Sequence, residues 1–297
     1  MKRQIYIILI ALAGIFSSCE DVIDVKLSEE NLNLVGVEAN ITTQDEPTVF
    51  LYRTLKVNQD EGFPGISGAQ VVIADNASPS NRITLVEDSQ KKGLYTVAQG
   101  ASFKGVAGRE YTLTIQTPET TLTAKEKLTA VEPIDSIIVE PSLRGDKLFL
   151  AVFSYGQETP GKGNYYKWDI YVNDTLKHES DRMAIASDEL VDGNYVRKLE
   201  LFTDFHDPDK PEERELKLND RVSVKQTSIS RFAYYFYLQM INQGSTGSLF
   251  SVPPANIKSN FNSTDGKPVL GLFVARDVSG SETVVIDQKI EDQLKKR

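Results

Sequence analysis

Cys19 is the residue whose type and position most clearly indicate a chemical reaction. It is the only cysteine among 297 residues, and it follows Lys2, Arg3 and an apolar stretch from Ile5 to Ile15. That order is typical of a secretory signal peptide, and the stretch is too short to cross a bilayer as a helix. The thiol of a cysteine at the cleavage point accepts a diacylglyceryl group, and cleavage frees its amine for a third acyl chain. We therefore expect Cys19 to become a lipidated first residue.

Residues 1–18 together with Cys19 resemble a bacterial lipoprotein signal. The alternative is an ordinary signal peptide with a cysteine nearby, but plain secreted domains often carry paired cysteines. Two or three acyl chains hold a protein on a membrane far more firmly than one. We predict a signal peptide over 1–18 and a lipidated tether over 19–33. Glu20 and Asp21 resemble export signals that send some lipoproteins to the cell surface, and the alternative is a solvated linker.

Other residues that could support catalysis or metal binding do not form a recognisable set. His178 and His206 are the two histidines, and neither has the spacing of a zinc site or a Ser-His-Asp triad. Ser89 and Lys92 match Ser-x-x-Lys without its Lys-Thr-Gly companion, so we interpret them as a surface turn. The sequence thus predicts no catalytic residues, no metal and no cofactor. An unfamiliar enzyme with two catalytic carboxylates stays open as an alternative.

Two short polar segments have a possible binding role and a simpler structural one. Residues 204–213 contain a cluster of acids, namely Asp204, Asp207, Asp209, Glu212 and Glu213. Their spacing does not match a calcium loop, so we favour a solvated loop over a calcium site. Residues 144–146 spell Arg-Gly-Asp, which we interpret as a hairpin turn and not as an adhesion motif.

Aromatic residues alternate along one predicted strand. Alternation places Tyr166 and Trp168 on one face and Tyr165 on the other. Exposed rings would stack on a sugar or anchor a protein partner, which makes Tyr166 and Trp168 candidate ligand or partner contacts. We favour Trp168 as an ordinary core residue over this alternative.

The elements that position these residues are mostly strands. Seven short runs with period two between 34 and 130 predict an immunoglobulin-like or transthyretin-like sandwich. Residues 131–288 continue the alternation, with Asn173-Asp174 as a hairpin signal, and predict a second antiparallel β domain with one helix. The helix is predicted at Ser230–Asn242, with Ser230 as N-cap and Gly244 as its stop, and an aromatic strand is the alternative. Its apolar residues predict a buried helix, namely Phe232, Phe236, Leu238, Met240 and Ile241. Residues 289–297 are a charged tail. The fold class is therefore mainly β.

Net charge limits the possible partners. The chain carries −9, and removal of residues 1–18 takes away Lys2 and Arg3 and no acid, which leaves −11. An acidic surface argues against nucleic acid and against electrostatic adhesion to anionic lipid.

Several segments resemble one family over nearly the whole mature chain. They are Cys19–Val25, Gly65–Ala69, Ile134–Ile137, Asn164–Trp168, Phe232–Tyr237, Phe250–Asn260 and Leu270–Phe273. Their ordered set is similar to a lipoprotein family of unknown function from Bacteroidetes-type Gram-negative bacteria, commonly encoded beside TonB-dependent outer-membrane transporters. Phe261 departs from the small apolar residue expected after Asn260. The resemblance implies no catalytic residues.

The resemblance implies further expectations. Asp135-Ser136-Ile137 and Asp174-Thr175-Leu176 resemble O-glycosylation sites of this bacterial group, which makes Ser136 and Thr175 candidates. We expect a non-catalytic, lipid-anchored protein of the outer membrane, exposed at the cell surface, that assists a TonB-dependent transporter. It would capture the transported substrate or contact the barrel. The alternative is a stand-alone surface protein that binds a glycan or peptide, or mediates adhesion.

Overall fold

The computed structural model describes residues 33–54, 62–77, 81–177, 183–207, 209–244 and 257–294. The predicted signal peptide, Cys19 and the tether up to residue 32 lie outside the described residues. So do His178, residues 250–256 of the family-like segments and residues 295–297 of the predicted tail. The part from Asn33 to Arg297 forms one compact unit. Among the described residues, no helix has the length and apolar character needed to cross a membrane.

Alternating apolar residues form strands along most of this unit, which confirms the prediction of a mainly β fold. The strands are β1 Val35–Thr42, β2 Thr48–Arg53, β3 Gln70–Asp75, β4 Arg82–Glu87, β5 Leu94–Thr96, β6 Glu110–Gln116, β7 Thr121–Lys127, β8 Ile134–Arg144, β9 Lys147–Gln157, β10 Tyr165–Val172, β11 Thr175–Lys177, β12 Ala184–Ser187, β13 Tyr195–Thr203, β14 Arg221–Ile229, β15 Asn262–Ser263, β16 Val269–Arg276, β17 Val278–Gly280 and β18 Val284–Val285. The helices are α1 Arg231–Gly244, α2 Gln288–Leu294 and a 3-10 turn at Pro211–Glu213. Helix α1 confirms the predicted helix, and α2 covers part of the predicted tail.

Nine strands form one continuous path in the order β15-β7-β6-β3-β4-β5-β2-β1-β16. The path bends at β4, because its residues Arg82 to Leu85 pair with β3 whereas Val86 and Glu87 pair with β5. Buried residues from both halves belong to one core cluster. The two halves therefore pack face to face, and this core is the sandwich that the alternating pattern predicts.

The remaining strands form two smaller sheets around a second core. One has the order β11-β10-β14-β17 with β12 and β18 attached, and the other has the order β13-β9-β8. Both contribute buried apolar residues to one cluster, against which Ile290 and Leu294 of α2 pack. The predicted hairpin turns are present. Asn173 and Asp174 have φ of 51° and 62°, as a two-residue type I′ hairpin requires, and Gly145 turns β8 into β9.

Strand β16 carries the chain back to the first sandwich. It pairs with β1 in parallel, and Gly271 lies opposite Val37. Gly271 has φ of 91°, and a Cβ there would lie 2.0 Å from the Val37 carbonyl oxygen, so only glycine fits. After β16, the Asp277 carboxylate accepts hydrogen bonds from Thr43 Oγ1 at 2.7 Å and from the Val131 N–H at 2.9 Å. The domain boundary near residue 131 stays a prediction, and the structure adds that residues 269–276 belong to the sandwich sheet.

Candidate functional site

An open groove of about 710 Å³ runs along the outer face of α1. The described residues that line it are Arg231, Phe232, Tyr235, Phe236, Gln239 and Lys258. Positions 232, 235, 236 and 239 follow the three- and four-residue spacing that places side chains on one helical face. The groove is therefore formed by one face of α1 and by the segment around Lys258. We call it the α1 groove.

Helix α1 begins where its sequence predicts. Ser230 is the N-cap, because its Oγ accepts a hydrogen bond from the Ala233 N–H at 3.1 Å. On the inner face, Ala233 is fully buried and packs with Leu272 and Val274 on the outer side of β16. Tyr237 is partly buried and packs against the same cluster. The helix is thus fixed to the sandwich through its inner face.

The outer face of α1 corrects the prediction of a buried helix. Phe232 is 40% exposed and Tyr235 is 43% exposed, although the apolar pattern predicted Phe232 in a core. Leu238, Met240 and Ile241, which the same pattern placed in the core, are only partly buried. The physical reason is that α1 packs on β16, and on β10 through the rings of Tyr165 and Tyr234 at 5.0 Å, and these contacts leave Phe232 and Tyr235 exposed. Two aromatic rings are therefore available to a ligand or partner.

The charges in the α1 groove differ in sign from the rest of the protein. Arg231 and Lys258 are both exposed, and no described lining residue is acidic. The whole chain, in contrast, carries −9. The Arg231 guanidinium lies 5.6 Å from the ring centre of Tyr235, within the range of a cation–π interaction. The α1 groove is thus a local cationic and aromatic surface on an acidic protein.

A buried carboxylate lies at the start of the helix, where α1 joins the sandwich. Glu126 of β7 is 6% exposed, and its Oε1 accepts hydrogen bonds from Ser230 Oγ at 3.2 Å and Asn260 Nδ2 at 2.9 Å. Burial raises the pKa of Glu126 to about 7, because desolvation outweighs these two hydrogen bonds from neutral donors. We call Glu126, Ser230 and Asn260 the clasp.

Asn260 extends the clasp to the edge of the sandwich. Its Oδ1 accepts from the Phe273 N–H at 3.0 Å, and its Nδ2 donates to the Phe273 carbonyl at 2.8 Å. The side-chain amide thereby occupies the hydrogen-bonding groups that β16 would offer to another strand. The clasp joins β7, β16 and the N-cap of α1. Because Arg231 follows Ser230 and Lys258 lies two residues before Asn260, it also fixes the backbone from which both groove cations extend.

Tyr166 and Trp168 lie in the second core and outside the α1 groove. Each is 6% exposed. The Tyr166 hydroxyl donates to Glu158 Oε1 at 2.6 Å, and Trp168 Nε1 donates to Gln226 Oε1 at 2.8 Å. Their burial fits the core alternative, and their candidate role in ligand or partner contact stays a prediction.

The other sequence-predicted sites lie apart from the α1 groove. Ser136 and Thr175 are exposed, on β8 and directly after the type I′ turn, and their glycosylation stays a prediction. Cys19 lies outside the described residues, so its lipidation also stays a prediction. Ser89 and Lys92 lie in an exposed turn, as predicted.

The acidic segment 204–213 differs from the predicted solvated loop at its first residue. Asp204 is buried and accepts a hydrogen bond from the Glu215 N–H at 2.8 Å, with Arg214 Nε 3.4 Å from its Oδ2. Arg214 also pairs with Glu291 at 2.9 Å, which links the segment to α2. Burial and pairing of Asp204 correct that part of the prediction. Within the described ranges, no group of three potential ligand residues is placed to hold a metal.

Sequence reasoning missed both the clasp and the exposure of the α1 groove. One signal for the clasp was present, because alternation along β7 places Glu126 on the same face as the buried Leu122 and Ala124. An acid on an apolar face requires a polar partner. That partner, Asn260, is far away in sequence. For α1, an apolar residue on nearly every turn predicts burial on all sides, and only the tertiary structure reveals the uncovered side.

Comparisons with known proteins place the chain in a family. A family model described as "Domain of unknown function (DUF4249)" matches residues 20–282, and the chain belongs to this family. A comparison with curated proteins gave no match.

Proposed function

We propose that this member of the DUF4249 family is a non-catalytic, lipid-anchored protein of the outer membrane that assists a TonB-dependent transporter. It binds through the α1 groove, either to the barrel of the transporter or to the substrate before transport. The observation that carries the proposal is the exposure of Phe232 and Tyr235 on a helix whose opposite face is packed on the sandwich. The resemblance stated from the sequence supplies the expected membrane and transporter.

The composition of the α1 groove supports binding to a partner. Aromatic residues and arginine are enriched among the residues that contribute most to binding energy at interfaces. Here Arg231 lies over the ring of Tyr235, and both are on the surface. Such residues lose little conformational entropy on binding, because the stacked pair is already partly ordered.

The sequence around Cys19 supports the membrane part of the proposal. The lone cysteine follows an apolar stretch and small residues, and a diacylglyceryl thioether with a third acyl chain would retain the protein at the membrane. We expect Cys19→Ala to move the protein from the membrane fraction to the soluble fraction. Complete retention of this variant in the membrane would refute the anchor.

Co-purification tests the transporter part. The protein would be tagged at its C-terminus, extracted gently from native outer membranes and analysed by mass spectrometry. We expect a TonB-dependent barrel in a stoichiometric amount, reduced by the double variant Phe232→Ala and Tyr235→Ala. Purification of the protein without a barrel would contradict this role.

A stand-alone surface binding protein is the second candidate, and the two groove cations favour it. A groove of about 710 Å³ lies within the usual range for small-ligand sites. In that case the protein would be purified without a barrel and would still bind a glycan or peptide through Phe232 and Tyr235.

A further inference from the structure

We propose that the α1 groove binds an acidic oligosaccharide, with sugar rings on its aromatic side chains and a carboxylate or sulfate on its two cations. The inference rests on the proposed binding role of the groove and names the ligand class. It does not depend on association with a transporter.

The aromatic part of the argument concerns the rings that the fold leaves uncovered. Phe232 and Tyr235 lie one helical turn apart on the same face, and each has more than a third of its surface exposed. The apolar C–H faces of sugar rings pack on aromatic side chains, and the groove is open and therefore admits a chain of rings. Its volume of about 710 Å³ suits a few sugar units.

The electrostatic part of the argument is charge complementarity. Arg231 and Lys258 supply two positive charges to the groove, and its described lining contains no carboxylate. The protein around it carries a net charge of −9, so an anion is attracted to this groove and repelled by most of the remaining surface. Arginine also binds carboxylate or sulfate oxygens through two parallel hydrogen bonds.

The hydrogen-bonding groups distinguish a sugar from a peptide. Among the described lining side chains, Arg231, Lys258 and Gln239 present many N–H donors, and the acceptors are the Gln239 carbonyl and the Tyr235 hydroxyl. An acidic sugar offers carboxylate, ring and hydroxyl oxygens that match this excess of donors. Each sugar hydroxyl can turn to act as an acceptor, whereas the backbone N–H groups of a peptide can only donate and would find few acceptors among these side chains.

Calorimetric titration of the full mature protein in detergent tests the proposal. The probes are trigalacturonic acid, its methyl ester and triglutamate. The ester has the same sugar chain without the negative charges, and triglutamate has three side-chain carboxylates without the sugar. We expect trigalacturonic acid to bind, and the ester and triglutamate to bind at least about tenfold more weakly. Absence of trigalacturonic acid binding, or equal binding of either control, would overturn the proposal.

Variants then locate the site. Arg231→Gln and Phe232→Ala should each weaken trigalacturonic acid binding by about tenfold. Phe205→Ala removes an aromatic side chain that is exposed outside the groove and should leave the affinity unchanged. Arg231 and Phe232 are exposed and lie outside the apolar clusters of the described residues, so both variants should remain folded, with thermal unfolding close to that of wild type. Unchanged affinity in both groove variants would also overturn the proposal.

This test can fail independently of the proposed function. A protein that co-purifies with a barrel and does not bind the trisaccharide keeps its transporter role and loses the proposed ligand. A protein that binds the trisaccharide and is purified without a barrel keeps the ligand and loses the transporter.

Discussion

Two phenylalanines of the same unit occupy opposite environments. Phe273 of β16 lies in the sandwich core at 0% exposure, whereas Phe232 of α1 is 40% exposed beside the groove. The core phenylalanine is covered by the two halves of the sandwich, whereas Phe232 lies outside the cluster of described residues through which α1 packs on β16 and β10. An apolar side chain that is enclosed by other elements therefore stabilises the fold. An apolar side chain that is left exposed remains available for binding.

Two buried acids of the sandwich show a similar contrast. Asp75 is held by Arg109 at 2.6 Å, whereas Glu126 receives hydrogen bonds only from neutral groups among its described partners. Burial acts to raise the pKa of Asp75, but the hydrogen bonds from Arg109, Ala77 and Asn81 outweigh it and leave the pKa below its usual value. The pKa of Glu126 is instead raised to about 7. Of these two acids, Glu126 at the junction with α1 is therefore the one expected to change charge near neutral pH.

The largest expected effect comes from removing the core ring. Phe273→Ala should lower the free energy of unfolding by about 3–5 kcal/mol, because it removes a large buried side chain and leaves a cavity. Chemical denaturation measures the change. Asn260 bonds the Phe273 backbone, so this hydrogen bonding is retained in the variant. A loss below about 1 kcal/mol would contradict the assignment of Phe273 to the core.

The next effect concerns the pH dependence of the clasp. The folded protein holds the Glu126 proton up to about pH 7, whereas the unfolded chain loses it near the ordinary value of 4.5. Folding therefore takes up a proton between these values, and stability falls as pH rises through this window. The total change is about 3 kcal/mol, from about 1.4 kcal/mol for each pKa unit. Chemical denaturation at several pH values between about 4 and 8 would measure this fall in the free energy of unfolding.

Glu126→Gln is the matched control for that prediction. The variant has no titrating group at the clasp, so the difference in unfolding free energy between variant and wild type should change across pH 4.5 to 7 and be constant above. A difference that stays constant across this window would show that Glu126 does not titrate there.

A smaller effect is expected at the acid that has a cation. Arg109→Gln should lower the unfolding free energy at pH 7 by about 2 kcal/mol, because Asp75 is then buried without its positive partner. The pKa of Asp75 is lowered in the fold, so this contribution is present above the ordinary value of 3.8 and is lost as pH falls through the lower folded value. The gap between variant and wild type should thus close in acid. A gap that persists in acid would point to lost packing of Arg109.

The smallest effect on stability is expected in the groove. Phe232→Ala should lower the free energy of unfolding by about 1 kcal/mol, well below the loss for Phe273→Ala, because Phe232 keeps 40% of its surface in water and belongs to none of the apolar clusters of the described residues. The same denaturation series that measures Phe273→Ala measures this change. A loss as large as that of Phe273→Ala would mean that Phe232 is a structural residue and that the comparison of the two rings is wrong.

The sequence predicted what depends on local pattern. Alternation predicted the strands, Ser230 predicted the start of α1, and Asn173-Asp174 predicted the hairpin turn. These features depend on neighbouring residues, whose preferences are visible in the sequence. The return of β16 to pair with β1 in parallel was not predicted, because strand partners far apart in sequence leave no local pattern.

The candidate site was predicted less well for the same reason. The α1 groove depends on which side of one helix is covered, and the clasp depends on Glu126 meeting Asn260 across 134 positions of the chain. Asn260 does lie at the end of a segment that carries the family resemblance. Its side chain bonds the backbone of Phe273, in another such segment, so part of that resemblance describes how the sandwich edge is closed.

Site-specific crosslinking from the groove tests the central claim most directly. A photo-crosslinking amino acid would replace the exposed Gln239 on the outer face of α1, and a control protein would carry it at the exposed Lys104 of the sandwich. In native cells we expect the Gln239 position to give an adduct with a TonB-dependent barrel that the Lys104 position does not give. Absence of an adduct from Gln239, or the same adduct from both positions, would contradict the claim that the α1 groove binds the transporter.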